Sequence, residues 1–341
     1  MALSIWCDFI EREFLEGEFR TLVDSGLVRG ATTNPSIFAS ALKGKAYRSQ
    51  LEKLAKSPAI QSLKARPKAK ALYEELALED IAKAALILSP LYENNPKEGL
   101  ISLELDPKLC RDAEASIEEG LRLWNRLEAS NVMIKVPATK ESPAIMQALI
   151  ARGVNLNANL VFSLSQALAV LEGLEAGYAA LCGGGGLADG RQPQAVISVF
   201  VSRFDRALDS KLSEGSRGKY GIANAASIYE GFKAVNKNPN IRILFASTGL
   251  KQQDSLYNDP GYYVYPLAFE DCINTLPLPT LKSLDTSRLR PVSPDCLGLS
   301  SLRLELEASG LDYKDIEARL LGEGLASFES SFEELLDSME G

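Results

Sequence analysis

Short apolar runs alternate with longer stretches of helical spacing along almost the whole chain. Ile5 to Phe9 is a strand-like run ending near Asp8, and Glu11 to Leu22 then places Phe14, Leu15, Phe19 and Leu22 at helical intervals. Arg29 to Pro35 reads as a second strand whose end carries threonine and Asn34, closed by a proline that disfavours helix at the residue before it. The strand pattern recurs at Leu100 to Leu105, in the run around Lys135, and at Val154 to Phe162, Ala195 to Val201 and Ile241 to Ala246, with Tyr262 to Leu267 as an eighth. Helical spacing fills the intervals: from Asp106-Pro107 through Trp124, Ser142 to Arg152, Gln166 to Cys182, and after Arg203. Eight strands alternating with helices predict a (β/α)8 barrel, an α/β fold whose functional side chains gather at the C-terminal strand ends.

Three stretches depart from that alternation. Residues 36–99 carry more helix than one crossover needs, with breaks near Ser57-Pro58 and Arg66-Pro67, and are expected as a helical insertion within a single barrel domain spanning 1–341. Residues 311–341 form an amphipathic helical segment with Phe328, Phe332, Leu335 and Leu336 on one stripe, expected to pack across the barrel mouth or side. Gly183 to Gly186 lack the GK[ST] or GxGxxG setting of a phosphate loop and read better as the loop closing a helix.

Polar residues inside apolar strands are the candidate chemistry. Val132, Met133, Ile134 and Val136 mark a strand covered on both faces, yet Lys135 sits among them. A buried ammonium is costly, so such a lysine either pairs or sheds its proton, and the free amine can attack a carbonyl carbon to form a Schiff base. The competing reading is a lysine that snorkels to a strand end or pairs with a core carboxylate. Asn155, Asn157 and Asn159 alternate on one face of their strand, which points to a polar barrel interior or, alternatively, to solvent. On one barrel, Asp8, Asn34, Glu104, Lys135, Asn157, Asn159 and Ser198 would converge at a single mouth. Arg203, with Ser247 and Lys251, suits a phosphate, unless Arg203 forms a surface ion pair with Asp205 or Asp209.

Composition narrows the mechanisms. The 341 residues contain no histidine, which removes Ser-His-Asp triads, Cys-His pairs and histidine-bearing zinc sites, leaving carboxylates, lysine, tyrosine or water to move protons. A net charge of −8 argues against nucleic acid as a partner. Five scattered cysteines without CxxC spacing read as reduced residues. Met1 to Ser4 show no signal-peptide pattern and no apolar run approaches the ~20 residues of a membrane span, so a cytoplasmic protein without membrane partners is expected.

These residues lie in segments that resemble the bacterial transaldolases, of the longer type with an early helical insertion. The segments are GATTNPSIF at 30–38, SLELD at 102–106, IKVPAT at 134–139, GVNLNANLVFSLSQ at 153–166, VFVSRFD at 199–205, ASTGLK at 246–251, INTLP at 273–277 and LDYKDIEARLLGEG at 311–324. The resemblance implies Lys135 as the Schiff-base lysine, Asp8 as acid/base on a substrate hydroxyl, and Glu104 acting through a water. It implies Asn34, Asn157 and Ser198 on the dihydroxyacetone part, Arg203 on the phosphate, and Ser247 or Lys251 as a second phosphate contact. Asn159 stands where the family usually has a threonine that helps position the water; an amide can donate and accept there as well. The implied reaction is that of the pentose phosphate pathway: a dihydroxyacetone unit passes from sedoheptulose 7-phosphate to glyceraldehyde 3-phosphate, giving erythrose 4-phosphate and fructose 6-phosphate. Neither cofactor nor metal is implied, sugar phosphates are the expected partners, and a monomer or homodimer is expected. Alternatives are a fructose 6-phosphate aldolase-like enzyme releasing free dihydroxyacetone, and an impaired barrel serving as a binding scaffold.

Overall fold

Eight parallel strands close into a barrel in chain order, β1 (Ser4–Cys7), β2 (Gly30–Thr32), β3 (Leu100–Glu104), β4 (Val132–Pro137), β5 (Asn155–Val161), β6 (Ala195–Phe200), β7 (Ile241–Ala246) and β8 (Ile273–Leu276), with β8 pairing back onto β1. This is the (β/α)8 architecture. The structure is a computed structural model and describes residues 3–250, 257–296 and 298–340. Every strand residue is buried, because helices cover the outer face and side chains fill the inner one. Inside, Trp6, Leu100, Met133, Val196, Leu244 and Ile273 belong to one apolar cluster. Trp6 can occupy that floor because Gly30 on the neighbouring strand has no side chain; a Cβ there would lie 2.5 Å from the indole.

The eighth strand is not at Tyr262 to Leu267, where the strand pattern placed it. Tyr262 to Leu267 forms a turn and a short 3-10 helix, Tyr265–Leu267, and the barrel is completed by Ile273–Leu276. Strand propensity measures fit to a half-buried pleat, and these tyrosines satisfy it elsewhere. Tyr257, Tyr262 and Tyr263 pack ring on ring, and the buried Tyr263 donates its hydroxyl to Asp205 at 2.9 Å. Helices differ from the pattern as well, among them Leu278–Ser283 and Leu299–Ala308, which the spacing does not predict. The one expected from Asp106 begins at Ala113, capped by the Asp112 carboxylate, after a separate 3-10 turn at Pro107–Leu109; a helix at Tyr220–Val235, between β6 and β7, was not singled out.

Helices Pro35–Ala41, Arg48–Ala55, Pro58–Gln61 and Ala65–Asn94 lie between β2 and β3. A buried polar knot ties them to the start of the barrel. Arg12, just after β1, donates from two nitrogens to Asp80 Oδ1 at 3.0 and 2.9 Å, while Tyr47 donates to Asp80 Oδ2 at 2.7 Å. The C-terminal helix Tyr313–Glu340 packs on Ala65–Asn94 and Pro35–Ala41. Its Phe328, Phe332, Leu335 and Leu336 are buried, and Gly324 lets its backbone approach Leu160 of β5. Among the described residues, no helix is long and apolar enough to cross a membrane.

Breaking the knot should therefore cost more than breaking a surface pair. Asp80→Ala leaves the Arg12 guanidinium buried without its main partner, and we expect a loss of about 3 kcal/mol, at the low end for a broken buried pair because Glu79 remains 3.6 Å from Arg12. Lys83→Ala, which breaks the exposed Lys83–Glu16 pair, should cost less than about 1 kcal/mol. Urea unfolding of both variants compares the two; equal losses would show that the knot does not anchor this region.

Candidate active site

Barrel register brings together side chains far apart in sequence. Glu104 is paired with Lys135, and Lys135 with Asn157, so three polar side chains of adjacent strands share one level of the interior. Lys135 does not snorkel. Only 6% exposed, it donates to the Thr33 carbonyl at 2.7 Å and lies 3.5 Å from Glu104 Oε2. Glu104 in turn accepts from the Asn159 amide nitrogen on both oxygens, at 2.7 and 2.9 Å. The bulge that breaks the β5–β6 register, with Leu160 at φ +55°, adjoins Asn159 on the same strand. Asn159 Oδ1 is buried and has no hydrogen-bond partner among the described residues.

The asparagines divide by depth, and none faces solvent. Asn155 is structural: its amide donates to the Ser130 and Val132 carbonyls and its oxygen accepts from the Gln194 N–H. Asn157 donates to Ser102 Oγ at 2.9 Å and accepts from Ser198 at 2.6 Å, which holds Ser198 in place.

Asp8 sits immediately after β1 and accepts from the Thr32 hydroxyl at 2.6 Å; Thr32 itself lies 2.7 Å from the Thr275 hydroxyl. Burial pushes the carboxyls of Asp8 and Glu104 above the ordinary range, opposed in both by the Lys135 charge, in Asp8 by Thr32 and in Glu104 by Asn159. Desolvation outweighs the nearby cation at both sites. Two carboxyls whose proton affinity is raised by burial, grouped with one buried amine, can hold and pass on protons more readily than ordinary carboxylates.

Asp8, Asn34, Lys135, Ser198, Arg203 and Ser247 line one cavity of about 450 Å³, together with Thr32, Phe200, Arg206 and Thr275, and with Ser327, Phe328 and Ser331 of the C-terminal helix. Glu104, Asn157 and Asn159 do not line it: Glu104 lies 3.5 Å from the lining Lys135, Asn157 is bonded to the lining Ser198, and Asn159 sits one contact further back, bonded to Glu104. Lys251 lies outside the described residues. A slightly larger depression of about 510 Å³, between Gln166 and Tyr313, is lined by Lys314 and Glu317, but that lysine is exposed and a single carboxyl accompanies it. Asn34 spends its oxygen capping the helix Pro35–Ala41, which leaves its amide hydrogens without a partner in the protein among the described residues. Arg203 forms no ion pair with Asp205 or Asp209. Those carboxylates accept instead from Gly221 and Tyr263, and from Gly218 and Tyr257. Its guanidinium stands 5.0 Å over the Phe200 ring. Ser247 takes a left-handed backbone, φ +57°, with its hydroxyl 3.0 Å from that of Ser202.

Thr32, Phe200, Thr275, Arg206, Ser327 and Ser331 were not anticipated. Thr32 was visible in the polar end of its strand, but the serines lie beside an apolar stripe and carry no signal of their own.

The family model described as Transaldolase/Fructose-6-phosphate aldolase matches residues 5–339. The chain is 40% identical over 342 residues to a transaldolase of Helicobacter pylori strain Shi470, covering 98% of each chain. It is 39% identical over 345 residues to a transaldolase of Campylobacter jejuni strain RM1221, covering 98% of this chain and 99% of that relative.

The Thr32 contact gives a direct check on the electrostatics. Its hydroxyl favours ionised Asp8, so Thr32→Val should raise the Asp8 pKa further, by roughly one unit if the bond is worth about 1.4 kcal/mol. Carbon-13 titration of the carboxyl measures it, and an unmoved midpoint would mean that Thr32 does not tune Asp8.

Proposed function

Because this chain belongs to the transaldolase/fructose-6-phosphate aldolase family and is an enzyme of that class, we propose that it transfers dihydroxyacetone from sedoheptulose 7-phosphate to glyceraldehyde 3-phosphate through an imine on Lys135. The observation that carries the reading is the buried Lys135 amine, 3.5 Å from Glu104 and lining the same cavity as Asp8 and Arg203.

The Lys135 amine attacks the donor's C2 carbonyl. Glu104 moves protons through a water as the carbinolamine loses its hydroxyl and becomes an iminium ion. Asp8 then takes the proton of the C4 hydroxyl, the C3–C4 bond breaks, and erythrose 4-phosphate leaves while the three-carbon enamine stays on Lys135. Addition of that enamine to the aldehyde carbon of glyceraldehyde 3-phosphate forms the new bond, with Asp8 returning its proton to the nascent hydroxyl. Hydrolysis of the imine releases fructose 6-phosphate and restores the amine. Asn34, Asn157 and Ser198 serve the dihydroxyacetone hydroxyls, while Arg203 and Ser247 serve the phosphate.

Asn159 works differently from the donor-and-acceptor role its amide suggested. Its nitrogen is committed to Glu104, so only Oδ1, a buried acceptor without a partner among the described residues, remains to receive a water's hydrogen. The C-terminal helix over the mouth supports transfer rather than release of dihydroxyacetone, since Ser327, Phe328 and Ser331 help line the cavity in which bulk water would intercept the enamine.

Lys135→Ala should abolish both transfer and the adduct trapped by borohydride with fructose 6-phosphate, while circular dichroism stays native; mass spectrometry locates the label, and labelling of another lysine would overturn the assignment. Asn159→Val should slow adduct formation by roughly a hundredfold, the low end of general acid/base help. It should also move the acid limb of the pH profile upward, because the lost hydrogen bonds are among those holding Glu104 down and the base must be ionised to work. Stopped-flow rates across pH decide this, and an unmoved limb with equal rates would remove Glu104 and Asn159 from that step.

A further inference from the structure

Arg206 belongs to none of the roles assigned so far, yet it lines the same cavity as Lys135, Asp8 and Arg203. It follows Arg203 by three residues on the helix Ser202–Leu208, a spacing that sets two side chains on one helical face. The two guanidinium groups are close enough for the Arg206 charge to disfavour protonation of Arg203, second only to burial, with a weaker opposing pull from Glu323. Ordinary surface chemistry would relieve such repulsion with an acid. Among the described residues, however, neither arginine has a carboxylate within ion-pair distance. The nearest acids in sequence are engaged elsewhere: Asp205 with Gly221 and Tyr263, and Asp209 with Gly218 and Tyr257. Two cations at one cavity wall, with no carboxylate in ion-pair contact among the described residues, are matched by a dianion, and a phosphate monoester carries about −1.5 to −2 charges at neutral pH.

We infer that Arg206 is a phosphate-binding residue acting with Arg203, the pair sharing the phosphate of the sugar substrates. This rests on the transfer reaction proposed above and extends it by naming the second cation. Arg203 is half-buried and stacked on Phe200, so it is pre-positioned. Arg206 is exposed and closes on the phosphate from the solvent side, so its contribution falls on capture of phosphorylated substrates more than on bond breaking.

The test compares the unmodified chain with Arg206→Gln, Arg206→Lys and Arg203→Ala, using fructose 6-phosphate and unphosphorylated fructose as donors to erythrose 4-phosphate. Arg206→Gln should raise KM for fructose 6-phosphate about tenfold, the size of one charge-assisted contact, with a smaller change for fructose and the loss in KM rather than kcat. Arg206→Lys should recover part of the loss. Calorimetric titration with inorganic phosphate gives a readout independent of catalysis and should show weaker binding in Arg206→Gln. Equal phosphate affinity in the unmodified and Arg206→Gln proteins, or equal losses for both donors, overturns the inference. If the unmodified chain fails to transfer from fructose 6-phosphate, the proposed reaction falls, and the phosphate titration still decides whether Arg206 binds the anion.

Discussion

A lysine amine enclosed in the barrel, with one carboxyl 3.5 Å away and a second lining the same cavity, is the constraint around which the remaining structure is arranged. Placing these groups out of water is expensive, and the protein offsets the cost with fixed dipoles rather than with further charge. The Thr33 carbonyl receives the Lys135 nitrogen, the Asn159 amide grips both Glu104 oxygens, and a threonine hydroxyl holds Asp8. Burial still dominates, since both carboxyls stand above their usual range despite the neighbouring cation. That imbalance gives a chain without histidine two carboxyls of raised proton affinity grouped with one lysine.

Such a layer needs a dry floor and a covered mouth. Trp6 and its apolar neighbours fill the barrel below Lys135, made possible by the bare backbone at Gly30. Above, the C-terminal helix reaches the cavity while resting on the helices between β2 and β3, and the Arg12–Asp80–Tyr47 knot anchors those helices to the end of β1. Stability far from the reactive groups thus bears on the cover of the site. Charge is divided as well. The chain carries −8 overall, yet two guanidinium groups without carboxylate partners among the described residues line the cavity, which concentrates attraction for small anions there.

The sequence by itself determined the alternation of strand and helix, and with it the barrel, because side-chain periodicity is a local property written residue by residue. From that topology it also followed that Asp8, Asn34, Lys135, Ser198, Arg203 and Ser247 would meet, since a closed parallel barrel forces its strand ends to one mouth. Local propensity misled where tertiary packing competed with it: the tyrosines of Tyr262 to Leu267 looked like a strand but are held by ring packing and by Asp205. Only the tertiary structure decided which of three alternating asparagines braces backbone and which touch reactive groups, because that depends on height within the barrel. It alone set Asn159 against Glu104, 55 residues away, and brought Ser327 and Ser331 to the mouth. Those contacts arise from strand register and helix docking, which place partners by closure of the whole barrel, whereas sequence spacing reports only on neighbours along the chain.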